Sequence, residues 1–191
     1  MVWNNDQVSR AETEKILEIA QGQLSVPGDF VELGCYKGDT SLLLADILKE
    51  TDKKLYIYDS FEGLPEKTGE DESAAGENFR GGELYVTKRE VKERFLRANL
   101  PVPVIKKAWF NELGDEDLPN KIAFAFLDGD FYESIRDSLK LIENKMMNGG
   151  IIIVHDYNNP ALPGVAKAVD EWVKGKKLKI TKYESVVIIL A

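Results

Sequence analysis

The sequence has little of several things that usually declare a protein's class. Its 191 residues include one cysteine, Cys35, and one histidine, His155. A lone cysteine closes no internal disulfide, which fits a reducing compartment, and the expected location is the cytoplasm. No uninterrupted apolar run approaches the ~20 residues of a membrane span. Met1 opens onto VWNNDQVSR, without the basic start, apolar core and small-residue cleavage site of a secretory signal. An excess of positive charge is missing too. The net charge is -8, and the basic runs at Lys106-Lys107 and Lys174 to Lys179 are short, as at a solvated helix end or strand edge. Phosphate backbones are held by clustered Lys and Arg, so neither nucleic acid nor a membrane is an expected partner.

What is present is the composition of a globular chain, 43% hydrophobic and 30% charged. At this length one core suffices, burying about 70% of the unfolded chain's surface, so residues 1–191 are expected to form a single domain. No repeat or low-complexity tract interrupts it.

The most informative stretch is Ile122 to Tyr132, IAFAFLDGDFY. An apolar run leading straight into Asp128-Gly129-Asp130 has the form of a buried parallel strand that delivers carboxylates to the lip of a sheet. Four other segments share the strand pattern: Phe30 to Gly34, Leu55 to Tyr58, Val104 to Ala108 and Ile151 to Val154. Between them, helical spacing appears over Ala11 to Leu24, Asp39 to Glu50, Val86 to Leu100 and Glu133 to Met147, the last ended by Gly149-Gly150, and again over Pro163 to Val173. Alternation of this kind predicts an α/β fold with a parallel sheet and right-handed crossovers. The final pair, Leu178 to Lys182 and Val186 to Leu190, is too closely spaced for a crossover helix and must be antiparallel. Residues 62–82 carry no apolar period, and a loop this long inside a compact domain suggests a lid.

Three groups of residues could carry chemistry. Glu32-Leu33-Gly34-Cys35-Tyr36-Lys37-Gly38 is a strand-to-helix turn with two glycines four apart, permitting positive φ and close approach of a ligand. The spacing is not G-x-G-x-x-G, so no pyrophosphate is implied. Asp59 ends the next strand, where an acid can accept from both ribose hydroxyls. Together they favour a nucleoside without phosphate there, such as S-adenosylmethionine. Third, Asp128 and His155-Asp156 end adjacent strands and could meet around one cation.

In order along the chain, ELGCYKGDT, YDSFEGLP, AWF before an acidic turn, LDGDFYES and GGIIIVHDY resemble the motifs of class I S-adenosylmethionine-dependent O-methyltransferases, and among them the macrocin O-methyltransferase, or TylF-like, family. The resemblance runs from about Pro27 to Trp172. It implies a Rossmann-like sheet of seven strands ordered 3-2-1-4-5-7-6, mostly parallel, with helices on both faces and an antiparallel C-terminal hairpin. It further implies that Gly34, Tyr36, Gly38 and Thr40 line the methionine part of the cofactor with Glu32 beneath, that Asp59 holds the ribose, and that Ser60, Phe61, Trp109 and Phe110 flank the adenine. Asp128, His155 and Asp156 correspond to ligands of a divalent metal, Mg2+ or Mn2+, and Asp130 to the general base. The implied acceptor is a hydroxyl of a sugar or small natural product. His155 departs from the family's common pattern, a second aspartate; imidazole suits Mn, Fe or Zn better than Mg. Metal ligand, base or substrate contact, and structural histidine all stay open for it.

Two other functions fit parts of the pattern: a nicotinamide-dependent oxidoreductase on the same broad fold, and a degenerate S-adenosylmethionine-binding domain serving as a partner in an assembly. A homodimer is an expectation as well, since the N-terminal helix offers an apolar face.

Overall fold

The computed structural model describes residues 7–75 and 79–191; the Met1 segment read for a signal and residues 76–78 of the expected lid lie outside it. Seven strands form one sheet in the order β3-β2-β1-β4-β5-β7-β6. They are β1 (Asp29–Leu33), β2 (Leu55–Asp59), β3 (Val104–Lys107), β4 (Ile122–Leu127), β5 (Met146–Val154), β6 (Lys179–Tyr183) and β7 (Val186–Leu190). The first five run parallel, and β7 is antiparallel to both β5 and β6. Among the described residues five α-helices cover the faces: α1 (Arg10–Gly22), α2 (Asp39–Leu48), α3 (Lys88–Arg97), α4 (Tyr132–Ile142) and α5 (Pro163–Val173).

Strand alternation divides the core in two. On β4, Phe124 and Phe126 point to the face of α1, α2 and α3, where they join Phe30, Ile16, Leu44 and Phe95. Ala125 and Leu127 point the other way, to Ile135 and Leu139 of α4 and Val165 and Val169 of α5. Every residue of β4 is buried. Each large aliphatic or aromatic side chain fully buried in this way contributes about 1.5–3 kcal/mol, and such a strand has no solvent face on which to alternate.

The apolar face of α1, expected to be free for a second subunit, is covered within the chain: Ile16 and Ala20 have no exposure and pack with Leu44 and Ala45 of α2. The helix begins at a capping box, with Glu12 N–H donating to Ser9 Oγ and Ser9 N–H to Glu12 Oε2 at 3.2 and 3.0 Å.

One element differs from the sequence expectation. Helix α4 stops at Ile142 instead of continuing to Met147, and Gly149-Gly150, expected to terminate a helix, lie inside β5. The ladder pairs Ile122 with Met146 and Phe124 with Ile151, so residues 147–150 oppose the single Ala123. This bulge needs its glycines. Gly149 has φ +84°, and a Cβ on Gly150 would come within 2.8 Å of the Met147 carbonyl oxygen.

The 62–82 stretch closes on itself at its neck, where Leu64 N–H donates to Glu83 O and Gly82 N–H to Leu64 O, both at 2.8 Å. Midway, a short 3₁₀ turn (Gly69–Asp71) buries Asp71 completely. Its carboxylate accepts from Tyr132 N–H at 2.7 Å, on the first residue of α4, and from Thr68 N–H and Thr68 Oγ at 3.0 and 2.8 Å.

Candidate active site

Most of the residues singled out from sequence gather where the central strands end. Pairing continues one step past each strand: Gly34 N–H donates to Tyr58 O, Asp128 N–H to Leu33 O and His155 N–H to Leu127 O, at 2.9, 2.9 and 3.0 Å. The ends of β2, β1, β4 and β5 are thereby held side by side. Between β1 and β4 the connections diverge to opposite sides of the sheet, the topological switch point at which open α/β sheets bind ligands. Residues with positive φ follow each of these strands: Tyr36 (45°), Phe61 (51°), Asp130 (61°) and Asp156 (59°). Non-glycine residues hold such angles only where their surroundings over-determine them, and they concentrate at functional sites.

A cleft of about 1020 Å3, counting its open mouth, lies over these ends. Most residues singled out from sequence reach its wall: Glu32, Gly34, Tyr36, Thr40, Asp59, Ser60, Trp109, Phe110, Asp128, Asp130, His155 and Asp156. Two do not. Gly38, with φ +80°, is the residue before α2, and the space a Cβ would take there is bounded by Val91 and Ser41. Phe61 is buried in the core beside α2 and α3, not beside the cleft; the positive φ that follows Asp59 turns its ring inward.

Asp59 does more than end a strand. Its Oδ2 accepts from Cys35 N–H and Tyr36 N–H at 2.9 and 3.2 Å, and its Oδ1 from Phe61 N–H at 2.7 Å. The carboxylate thus ties the β1 turn to the β2 turn. The Ser60 hydroxyl is likewise engaged, donating to Gly63 O and accepting from Glu62 N–H, both at 3.1 Å. Glu32 is buried under the β1 turn, and burial, reinforced by Asp128 and Asp59, pushes its carboxyl up to about 8. Its Oε2 has no hydrogen-bond partner.

At the opposite end, Asp128, His155 and Asp156 offer one ligand atom each, all within 4.8 Å of one another. His155 Nδ1 is 2.9 Å from Asp128 Oδ1 and 3.1 Å from Asp156 Oδ2. Burial alone would lower the imidazole's pKa, but Asp128, Asp156 and Glu12 outweigh it and hold it far above its usual range. Asp130 is raised well above the usual carboxylate range, by burial first and then by Asp128 and Asp156.

The match to known proteins decides the family. The model of the macrocin O-methyltransferase (TylF) family fits residues 10–185. The chain belongs to this family. Two TylF relatives are a Streptomyces olivaceus 8-demethyl-8-(2,3-dimethoxy-alpha-L-rhamnosyl)-tetracenomycin-C 4'-O-methyltransferase, 33% identical over 69% of this chain and 54% of the relative, and a Streptomyces niveus demethyldecarbamoylnovobiocin O-methyltransferase, 32% identical over 78% and 59%. The chain spans between 54% and 61% of the length of the curated TylF relatives it matches. Among solved structures, the O-methyltransferase NovP superposes with a TM-score of 0.77 at 28% identity, covering 91% of this chain and 78% of that one. The calicheamicin methyltransferase CalS11 shares the fold, with a TM-score of 0.76 at 18% identity over 96% and 80%.

Sequence reasoning missed several cleft residues of this TylF chain. Leu64, Pro65, Phe79 and Leu84 come from the aperiodic loop and its exit, and give the cleft its apolar side. Glu12, on α1, faces His155 from behind, with Oε2 at 3.7 Å from Nε2. The Ser9-x-x-Glu12 pattern announces a helix start, and nothing local says that this glutamate is buried.

Proposed function

We propose that this chain is an S-adenosylmethionine-dependent O-methyltransferase whose acceptor is a hydroxyl on a sugar of a small natural product. The observation that carries the reading is one cleft with an apolar wall, Asp59 at one end and Asp128, Asp130, His155 and Asp156 at the other. The names of the relatives, one of them built around a rhamnosyl group, support the substrate class.

The residues present fit the cofactor. Gly34 lets the β1 turn lie against the end of β4, Glu32 Oε2 is buried and unpartnered beneath that turn, and Asp59 and Asp128 make the cleft acidic, as a cationic sulfonium with an amino group requires. When bound, S-adenosylmethionine supplies an electrophilic methyl group. Gly34, Tyr36 and Thr40 hold its amino-acid part with Glu32 beneath, Asp59 the ribose, and Ser60, Trp109 and Phe110 flank the adenine.

They fit a divalent cation as well. Asp128, His155 and Asp156 each offer one ligand atom, all within 4.8 Å of one another, a set of two carboxylates and an imidazole that would hold such a cation. A cation there would lower the pKa of an acceptor hydroxyl and orient it. Asp130, also on the cleft wall, is the group that would take the hydroxyl proton. In this reading the described residues Leu64, Pro65 and Phe79 of the 62–82 stretch, on the cleft wall, belong to a lid that limits water over the acceptor.

The test is direct. Incubation with methyl-labelled S-adenosylmethionine and a panel of glycosylated natural products should give a labelled O-methyl sugar, and S-adenosylhomocysteine should raise the melting temperature. Stabilisation by NADH without stabilisation by S-adenosylhomocysteine would overturn the assignment.

A further inference from the structure

The single histidine is held from two sides. In front, Nδ1 faces Asp128 and Asp156; behind, Nε2 is buried, has no hydrogen-bond partner and points at Glu12 Oε2, 3.7 Å away. Only 4% of His155 and 5% of Glu12 is exposed. Glu12 is itself fixed: Oε2 accepts from Ser9 N–H at 3.0 Å, and Oε1 from Ser185 N–H at 3.0 Å and from the Ser185 hydroxyl. Ser185 sits in the turn between β6 and β7. Three distant parts of the chain, the start of α1, the end of β5 and the terminal hairpin, therefore meet behind one imidazole.

An imidazole can ligate through Nδ1 only if its proton is on Nε2, and a metal-binding histidine characteristically gives that second proton to a carboxylate or carbonyl, which fixes tautomer and ring orientation. We infer that Glu12 is a positioning residue for a cation site formed by Asp128, His155 and Asp156, accepting the Nε2 proton so that Nδ1 faces the cation. The inference rests on the metal part of the proposed function. An aspartate in place of His155 would have no tautomer to fix and no use for Glu12. The imidazole and its partner are thus one device, and it biases the site toward Mn2+ or Co2+ over Mg2+.

The test is cation binding, read without turnover: Mn2+ by the loss of its free-ion electron paramagnetic resonance signal, Co2+ by its visible absorption. Glu12→Gln cannot accept at both ends of its side chain. It should weaken Mn2+ about 10–100-fold and shift the Co2+ spectrum, while S-adenosylhomocysteine still raises the melting temperature. In a His155→Asp background the same change should leave Mn2+ affinity unaltered, and that background should bind Mg2+ relatively better. If Glu12→Gln does not fold, Ser185→Ala, which loosens Glu12 without touching His155, should weaken Mn2+ several-fold. Undiminished Mn2+ binding in the folded variant, or equal losses in both backgrounds, would overturn the role of Glu12 and leave methyl transfer standing. A wild-type protein that binds no Mn2+ or Co2+ overturns both the role and the metal. Methyl transfer itself fails separately, by absence of labelled product.

Discussion

Gly34 and Asp128 touch through their backbones. A Cβ on Gly34 would fall within the van der Waals envelope of the Asp128 carbonyl oxygen and 2.7 Å from its carbonyl carbon, and Gly34 has φ +89°. The absent side chain lets the turn after β1 and the acid-bearing end of β4 lie against each other, so one residue sets both that turn and the position of Asp128 and Asp130. Gly34→Ala should cost at least about 2 kcal/mol from backbone strain and displacement and abolish S-adenosylhomocysteine binding. Urea denaturation and calorimetry check both, and wild-type affinity in the variant would contradict the contact.

Glu32 imposes a pH dependence. Its carboxyl titrates at about 8 in the fold, against 4.5 ordinarily, because it is buried and neighbours Asp128 and Asp59. Between those values the native state keeps a proton that the unfolded state has released, so its contribution to stability falls as pH rises from about 4.5 to 8 and is flat outside that window. Each unit of displacement is worth about 1.4 kcal/mol. Glu32→Gln should therefore melt higher than wild type at pH 8, with the gap closing toward pH 5. Parallel melting curves across that range would refute it.

Much of this was legible in the sequence, for identifiable reasons. Ile122 to Leu127 reads as a buried strand because no polar residue interrupts it, and Asp128-Gly129-Asp130 then stands out as its end. The hairpin follows from the short gap before Val186. The bulge at residues 147–150 was hidden because a Gly-Gly pair is the signal for a helix end, and only the pairing of Phe124 with Ile151 shows otherwise. Phe61 looked like an adenine contact by position, but its direction depends on a left-handed backbone angle. Glu12 and Asp71 act across 143 and 61 residues of sequence, on His155 and Tyr132 respectively. Local pattern carries no information at that range.

Asp59 has two roles that mutation should affect together. Three backbone N–H groups converge on its carboxylate, so Asp59→Ala leaves them without acceptors at a cost of about 1–3 kcal/mol and weakens cofactor binding. Asp59→Asn should do little better, since its amide must present N–H to N–H at one end. If Asp59→Asn keeps full stability and full affinity, the carboxylate is not what joins the two turns.

Asp71 ties the 62–82 loop to the turn after β4. Its carboxylate caps Tyr132, two residues beyond Asp130, and Gly164 at the start of α5 leaves room for it: a Cβ there would collide with Asp71 Oδ1 and reach Tyr132 N at 2.9 Å. Asp71→Ala and Gly164→Ala should each destabilise by about 1–3 kcal/mol, and the double variant by less than the sum, because either change breaks the same contact. Strict additivity in chemical denaturation would place them in independent sites.

The two ends of the cleft should separate experimentally. Asp156 lines the end occupied by His155 and Asp128, and makes none of the bonds that order the β1 and β2 turns. Asp156→Ala should lower methyl transfer by about 10²–10⁴-fold, the range for loss of acid–base and electrophilic assistance, while binding S-adenosylhomocysteine nearly as tightly as wild type. EDTA should act on wild type as Asp156→Ala does, and should add nothing to the variant. Full turnover by wild type in EDTA would remove the metal from the chemistry and leave Asp130 alone to take the proton. A parallel loss of S-adenosylhomocysteine affinity would mean instead that the acid cluster shapes the whole cleft, and that its two ends are not the separate cofactor and acceptor halves the reaction requires.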